Sequence, residues 1–131
     1  MIVRTMRHER SPRDDDVVIR SLSQRESAAL GVLLSCDFVG AEALRRQAES
    51  ATASGDGLII DLIVDPSLPA AVVTSRVPVE APVIDAEANH GGLLLFVEDG
   101  RLLCLEYWWT SDAKPDDFPD SDWIGEPVAR Y

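Results

Sequence analysis

The strongest constraint on the fold of this chain is a predicted β-hairpin that is apolar on both faces. Two runs rich in apolar residues, 93–97 and 102–109, flank Asp99-Gly100, a two-residue loop that suits a type I′ turn. With that loop, Glu98 lies opposite Arg101, and opposite charges that face each other across an antiparallel pair are favourable. We therefore predict a hairpin from Leu93 to Trp109.

An unbroken register divides this hairpin into two faces. It places Phe96 opposite Leu103, Leu95 opposite Cys104 and Leu93 opposite Glu106. Alternate residues of each strand point to opposite sides of the sheet. One predicted face carries Leu94, Phe96, Leu103, Leu105, Tyr107 and Trp109; the other carries Leu93, Leu95, Val97, Leu102, Cys104, Glu106 and Trp108. Glu106 is then the only charge on either face, so both faces need cover.

Helix signals occur only in residues 23–49. Ser23 and Glu26 form a capping box, in which each side chain bonds the other residue's backbone N–H, and the apolar residues that follow predict a helix that ends near Cys36-Asp37. A second, short helix is predicted from Ala41 to Ala48, with Leu44 on its buried face.

Three further segments have strand or linker character. Residues 58–64 are rich in β-branched and other apolar side chains, interrupted only by Asp61, which predicts a central strand. Residues 79–85 predict an edge strand, because Pro78 and Pro82 have no N–H to donate to a ladder. Residues 71–74 fit either a short strand or an extended linker, and Gly91-Gly92 predicts a turn.

These elements predict an α+β fold, with two N-terminal helices packed on an antiparallel sheet of about four strands that ends in the Asp99-Gly100 hairpin. Residues 1–20 are predicted to be a flexible arm, and residues 21–131 a single domain. Two short helices can cover only one side of the sheet. The second side would be covered either by the aromatic C-terminal segment or by a second copy of the chain in a homodimer.

The charge of the chain restricts its partners. The formal net charge is −11, and residues 21–131 hold seven basic and nineteen acidic side chains. Such a surface repels phosphate and anionic lipid, which argues against nucleic acid and membranes. It favours a basic protein partner, or serves simply to keep the protein soluble. Cys36 and Cys104 lack the spacing of a disulfide scaffold or a zinc site. Without an export signal or an apolar run long enough for a membrane span, the expected location is the cytoplasm.

The acidic segment from Glu98 to Glu126 contains all three tryptophans. Large aromatic side chains ringed by acid suit an Arg- or Lys-rich partner, because cation–π contacts and salt bridges act together. The predicted binding residues are Glu106, Trp108, Trp109 and Trp123. The same aromatics could instead fill a core face. The aspartates of this segment lack the spacing of an EF-hand, so no metal site is predicted.

Asp61 and Glu106 provide an alternative function. A carboxyl group on an apolar sheet face can act as a general acid or base, so a small enzyme or ligand binder is the second hypothesis. His90 has no catalytic partner that the sequence establishes, and we assign no catalytic residue and no cofactor. Our first hypothesis is a protein-interaction module with an immunity-, antitoxin- or inhibitor-like role against a basic protein.

Four segments carry a resemblance: DFVGAEALR (37–45), DLIVD (61–65), PVEA (78–81) and GLLLFVEDGRLLCLE (92–106). They resemble a family of small actinobacterial proteins with no assigned function, and the likeness covers roughly residues 22–120. Members of that family often have cysteines just before the strand that corresponds to Asp61–Asp65. This chain has none at residues 51–57, so a redox or metal role for such cysteines is not expected here.

Overall fold

The computed structural model describes residues 18–130. The elements follow in the order β1 (Ile19–Arg20), α1 (Gln24–Leu34), α2 (Ala41–Glu49), β2 (Thr52–Ser54), β3 (Ile59–Ile63), β4 (Val79–Ile84), β5 (His90–Glu98), β6 (Arg101–Trp109), a 3₁₀ helix (Ser121–Trp123) and β7 (Val128–Ala129). Most of the predicted arm, residues 1–20, lies outside the described residues. Its last two residues form β1.

The sheet is antiparallel throughout and has the strand order β1-β2-β3-β6-β5-β4-β7. The prediction of an α+β fold with an antiparallel sheet is confirmed, but the prediction of about four strands is wrong, since seven strands pair. The additional strands β1, β2 and β7 have only two or three residues each. Strands this short are formed by pairing with a longer neighbour and leave no alternating pattern in the sequence.

Both predicted helices are present. The Ser23 hydroxyl accepts the Glu26 N–H at 3.1 Å, and the Glu26 carboxylate accepts the Ser23 N–H at 2.8 Å, which confirms the capping box. The helix α2 begins directly after Gly40, whose φ of 94° lies in the left-handed region. A Cβ atom at Gly40 would lie 2.7 Å from the Val72 carbonyl oxygen, so the corner between the helices requires glycine.

The helices pack on one side of the sheet, where they form the core with alternate residues of β3 to β6. The largest fully buried side chains of this layer are Phe118, Leu33, Leu44, Ile60, Leu93, Leu95 and Leu105. The Phe118 ring lies 6.2 Å from the Tyr107 ring, centroid to centroid, and the Phe118 carbonyl accepts a hydrogen bond from Arg25 at 3.0 Å. The aromatic C-terminal segment therefore folds back onto the helix side of the sheet.

The hairpin has the predicted turn but a different register. Asp99 and Gly100 have φ values of 54° and 76°, as a type I′ turn requires, and Glu98 pairs with Arg101 as predicted. Beyond the second pair the register shifts by one residue. Phe96 pairs with Cys104 rather than with Leu103, and Leu95 pairs with Leu105, so the predicted register is wrong from this point to the end of both strands.

One extra residue in β6 causes this shift. A β-bulge places two residues of one strand against one of the other and exchanges the faces of the residues that follow. As a result, Leu105 and Tyr107 join Leu93 on the core side, and Glu106 lies on the opposite side of the sheet. The predicted placement of Glu106 on the face of Leu93 is therefore wrong.

The buried amide of Gln47 lies at the bulge. Its Oε1 accepts the Leu102 N–H at 3.0 Å, and its Nε2 donates to the carbonyls of Gly100 at 2.9 Å and Pro69 at 3.1 Å. The side chain is fully buried. Gln47 thus connects α2, the hairpin turn and the loop 65–78, and its bond to the Leu102 N–H is buried away from competing water.

Two strand predictions can be compared directly with the sheet. The predicted central strand, residues 58–64, is confirmed, because β3 pairs with β2 on one side and with β6 on the other. The predicted edge strand is wrong, since β4 pairs with both β5 and β7. Its proline is tolerated because β7 pairs only with Val79 and Glu80, while the Pro82 carbonyl accepts the Gly125 N–H at 2.8 Å. Residues 71–74 form an extended linker.

An ion pair attaches β1 to α1. Two Arg20 nitrogens donate to the two carboxylate oxygens of Glu26 at 2.8 and 2.9 Å, and the guanidinium also donates to the Gly55 carbonyl. Burial of the Glu26 carboxylate disfavours its charge, but the bonds from Arg20 and from the Ser23 N–H outweigh burial and lower the pKa of Glu26. A bidentate pair of this kind is among the stronger interactions a carboxylate can make.

We predict that Gln47→Leu lowers the free energy of unfolding by about 1–3 kcal/mol, because it leaves the buried Leu102 N–H without an acceptor. Urea denaturation followed by circular dichroism measures this. Gln24→Leu, at an exposed position of α1, is the matched control, for which we expect a change within about 0.5 kcal/mol. Equal stability of Gln47→Leu and the parent would show that the amide does not support the bulge.

We predict that Glu26→Gln lowers the free energy of unfolding at neutral pH by about 1–2 kcal/mol, because it removes the charged partner of Arg20. The loss stays modest because Arg20 is partly exposed and water screens the pair. Because the pKa of Glu26 is lowered in the folded protein, its carboxylate contributes its full stabilisation of the fold at pH values above its ordinary pKa of 4.5. This contribution is lost as the pH falls through the lowered pKa. The difference between the variant and the parent should therefore shrink in acid. Glu42→Gln, whose partner Arg46 lies 4.0 Å away at the surface, should show no such dependence.

Candidate functional site

The side of the sheet that faces away from the helices carries the polar residues that the sequence singled out. We call it the second face. Its side chains lie in three cross-strand rows: Asp61, Cys104 and Phe96; Ile59, Glu106, Leu94 and Glu80; Trp108, Gly92 and Pro82. None of these residues belongs to the core cluster formed with the helices.

The centre of the second face is buried and its margin is open. Cys104 is 0% exposed and Glu106 is 2% exposed, whereas Trp108 at the margin is 38% exposed. Asp61, Phe96, Cys104 and Glu106 are each engaged in a polar, ring or electrostatic interaction. A carboxylate held in such a place can only be tolerated when it is paired or hydrogen-bonded.

Asp61 and Glu106 share this face on adjacent strands. Asp61 pairs with Cys104, and Glu106 lies two residues further along β6, a diagonal arrangement in which the Cβ atoms are about 7 Å apart. His90 does not join them. It pairs with Ile84 four residues along β5 from Leu94, the partner of Glu106, which is about 13 Å in an extended strand.

A pocket opens at the margin of the second face, where β3 begins and β6 ends. It has a volume of about 490 Å³ and is lined by Asp56, Gly57, Leu58, Ile59, Glu106, Tyr107, Trp108, Trp109 and Lys114. We call it the tryptophan pocket. Its charged groups are the carboxylates of Asp56 and Glu106 and the ammonium group of Lys114. Asp61 does not line it.

Two glycines of β5 lie beside Trp108. Gly91 and Gly92, predicted as a turn, lie within β5 instead, so that prediction is wrong. A Cβ atom at Gly92 would lie 2.6 Å from Nε1 of Trp108, and one at Gly91 would lie 2.4 Å from the Trp108 carbonyl oxygen. The indole of Trp108 therefore lies across the bare backbone of β5 at Gly92, while Gly91 permits the close approach of the Trp108 backbone.

The structure separates the four predicted binding residues. Glu106, Trp108 and Trp109 line the tryptophan pocket, but Trp109 is partly buried and also packs against the core. Trp123 packs against the core from the 3₁₀ helix, which contacts α1. Asp56 was not singled out in the sequence because it lies in a turn, and only the pairing of β3 with β6 brings it to the pocket.

The tyrosine of the tryptophan pocket remains neutral. Burial raises the pKa of Tyr107, and the nearby Asp85 carboxylate raises it further. The hydroxyl is therefore protonated at neutral pH.

The loop between β6 and β7 brings Lys114 to the tryptophan pocket and carries several carboxylates. We call residues 110–127 the acidic loop; its well-exposed carboxylates are Asp112, Asp116, Asp117, Asp122 and Glu126. Within residues 18–130 most arginines have partners of their own, in the pairs Arg20–Glu26, Arg45–Asp37, Arg46–Glu42, Arg130–Glu80 and Arg25–Asp117. The surplus acid of the acidic loop is consequently available to a cationic partner.

The described part of the chain was also searched for metal sites and membrane-spanning helices. Among its residues, no group of three or more His, Cys, Asp or Glu side chains is placed to hold a metal ion. No helix among them combines the length and the apolar character needed to cross a membrane. Family models, curated proteins and solved structures give no match to this chain. The resemblance to small actinobacterial proteins therefore stays a prediction.

Proposed function

We propose that this chain is a cytoplasmic protein-interaction module that binds a basic protein through the tryptophan pocket and the acidic loop. The observation that carries the proposal is the exposed Trp108 indole, which shares its pocket with the carboxylates of Asp56 and Glu106. An aromatic face beside carboxylates attracts a guanidinium or ammonium group in two ways, by cation–π contact and by ion pairing.

The size and position of the tryptophan pocket support a side chain as its occupant. At about 490 Å³ it has room for an inserted side chain of a partner, and it opens at the surface. Interfaces commonly have one or a few aromatic or Arg anchors seated in pockets and surrounded by weaker contacts. In this proposal the partner's Arg or Lys is the anchor, and Trp108 forms the wall against which it stacks.

The acidic loop contributes to the rate of association. Exposed carboxylates at the rim of an interface steer a basic partner toward the correct orientation and increase the association rate at low salt. Within the described residues, Asp112, Asp116 and Asp122 form no ion pair that a partner would first have to break. An immunity-, antitoxin- or inhibitor-like role would follow if the bound surface of the partner were its basic active site.

The alternative function, an enzyme or ligand binder that uses Asp61 and Glu106, has less support. Both carboxylates lie on the second face, but the pocket that contains Glu106 does not extend to Asp61. A reaction that used both groups would need a cavity that reaches both at once. The carboxylates of Asp56 and Glu106 beside two tryptophans are better suited to binding a cation.

We predict that immobilised Trp108→Ala does not retain the basic partner that the immobilised parent protein retains at low salt. The affinity should fall at least about 30-fold, which is the effect of removing an aromatic hot-spot residue. Affinity capture from the native host, identification by mass spectrometry and calorimetry with the purified partner provide the measurement. Val72→Ala removes an exposed aliphatic side chain in the linker and is the control. A partner that binds both variants equally would contradict the proposal.

We predict that Asp112→Asn with Asp116→Asn slows association several-fold at low salt and has little effect at moderate salt, because rim charges act through a screened field. Glu42→Gln with Glu49→Gln, the same change of charge on the exposed side of α2, is the matched control. Stopped-flow association rates for both double variants should differ. Equal rates would remove the acidic loop from the interface.

A further inference from the structure

The tryptophan pocket contains a cation that belongs to the chain itself. Lys114 lines the pocket together with Asp56 and Trp108, and it is the only lysine in the sequence. It is exposed, and it forms no ion pair with another of the residues 18–130. A simple cation that enters the pocket would approach this ammonium group, and like charges brought together in an interface are unfavourable.

The loop that carries Lys114 is anchored on both sides of it. Thr110 donates to the His90 carbonyl from its N–H at 3.0 Å and from its hydroxyl at 2.7 Å. Phe118 is fully buried in the core. Between these two anchors, residues 111–117 are mostly exposed. The backbone of Lys114 is therefore kept near the end of β6, while its long, flexible side chain can turn toward a bound ligand.

The charges of both signs in the tryptophan pocket come from different elements. Asp56 lies in the turn before β3, and Lys114 lies in the acidic loop after β6. The indole of Trp108 belongs to the same lining and is 38% exposed. A ligand that matches this lining has a cation for Asp56, a stem that packs on the indole and an anion for Lys114. Glu106 is already engaged in an interaction, and the match does not require it as a partner.

A basic residue at the end of a protein chain combines these groups in one residue. Its side chain provides the cation and the stem, and its α-carboxylate provides the anion. An internal Arg or Lys offers only a neutral peptide carbonyl in that place, and a hydrogen bond between two ionised groups is stronger than one to a neutral acceptor. Chain-terminal carboxylates are a recurrent target of peptide recognition. The pocket, at about 490 Å³, has room for one such residue.

We propose that the tryptophan pocket binds the C-terminal residue of its partner, an Arg or Lys whose side chain stacks on Trp108 and pairs with Asp56, and whose α-carboxylate pairs with Lys114. The inference rests on the proposed function, because it takes this pocket as the binding site for a basic protein. It adds which part of the partner enters. It also gives Lys114 a role in specificity, since its charge disfavours an internal cation and favours a terminal one.

The test compares two probes that differ in one charge, Nα-acetylarginine and Nα-acetylarginine amide. The amide carries one positive charge, whereas the acid is neutral overall, so the net charge of −11 of the chain favours the amide. The proposal predicts the opposite order, with the acid bound about fivefold more tightly at low salt. The chemical shift of the Trp108 indole N–H, assigned with Trp108→Ala and followed by NMR in the full chain, measures both affinities.

Variants of Lys114 show whether this residue causes the preference. Lys114→Gln should remove it, because the acid then loses its cationic partner while the amide binds at least as tightly as before. Lys114→Arg keeps the charge and should keep the preference. Arg76→Gln removes one positive charge from an exposed position at the opposite end of the hairpin. It is the matched control and should change both affinities by less than about twofold. The same spectra show whether each variant is folded.

The outcomes separate this inference from the proposed function. Binding of neither probe at the Trp108 indole would contradict the proposed function and this inference together. Equal or tighter binding of the amide by the parent would overturn this inference alone, as would tighter binding of both probes by Lys114→Gln, since Lys114 would then compete with the ligand. Nα-acetyl-Asp-Arg amide, whose carboxylate belongs to a side chain, should bind no better than the arginine amide. Binding as tight as that of the acid would overturn the assignment to a chain terminus.

Discussion

The hydrogen bond from the Leu102 N–H to the buried amide of Gln47 is the constraint on which the arrangement of this sheet depends. It occurs where β6 contains one residue more than its partner strand requires. A backbone N–H that bonds a side chain is not available to the ladder, so the bulge is stabilised from outside the hairpin by α2. The same amide bonds the Gly100 carbonyl in the turn, which fixes the hairpin end and the helix relative to each other.

The bulge determines which chemistry each side of the sheet receives. Beyond it, β6 alternates in the opposite phase, so Leu105 and Tyr107 enter the core and Glu106 leaves it. In an unbroken register Glu106 would lie beside Leu93 and Leu95 under the helices. Placing a lone carboxylate among aliphatic side chains costs several kcal/mol or forces it to take up a proton. The bulge keeps Glu106 out of the core beneath the helices and places it on the second face.

The parts of the fold that sequence could predict are those fixed by local chemistry. The capping box of Ser23 and Glu26, the type I′ turn at Asp99-Gly100 and the β-branched run of β3 each act through neighbours in the chain. The bulge was missed because the residues around it, Leu102 to Leu105, are all apolar and no polar residue marks the change of phase. The two-residue strands β1 and β7 were missed because pairing with a longer strand creates them, a tertiary effect.

Only part of the candidate site could be predicted from the sequence. Glu106 and Trp108 were selected for their residue type and do share a pocket, but Trp123 packs against the core and Asp56 enters through strand pairing. The signal that could have located Trp108 is the glycine pair in β5. Two adjacent glycines opposite two adjacent tryptophans indicate that a large ring lies over the neighbouring strand, and this holds only in the shifted register.

The outer border of β4 has a consequence for how a partner can bind. Its backbone groups are engaged by β7 at Val79 and Glu80, by the bridge of Val83 to Ile124, and by Gly125 at the Pro82 carbonyl. On this side the outer strand is therefore β7, which has only two residues and is a short template for adding an incoming peptide as another strand. A partner that approaches this side depends chiefly on side chains for recognition, with discrimination set by shape and charge.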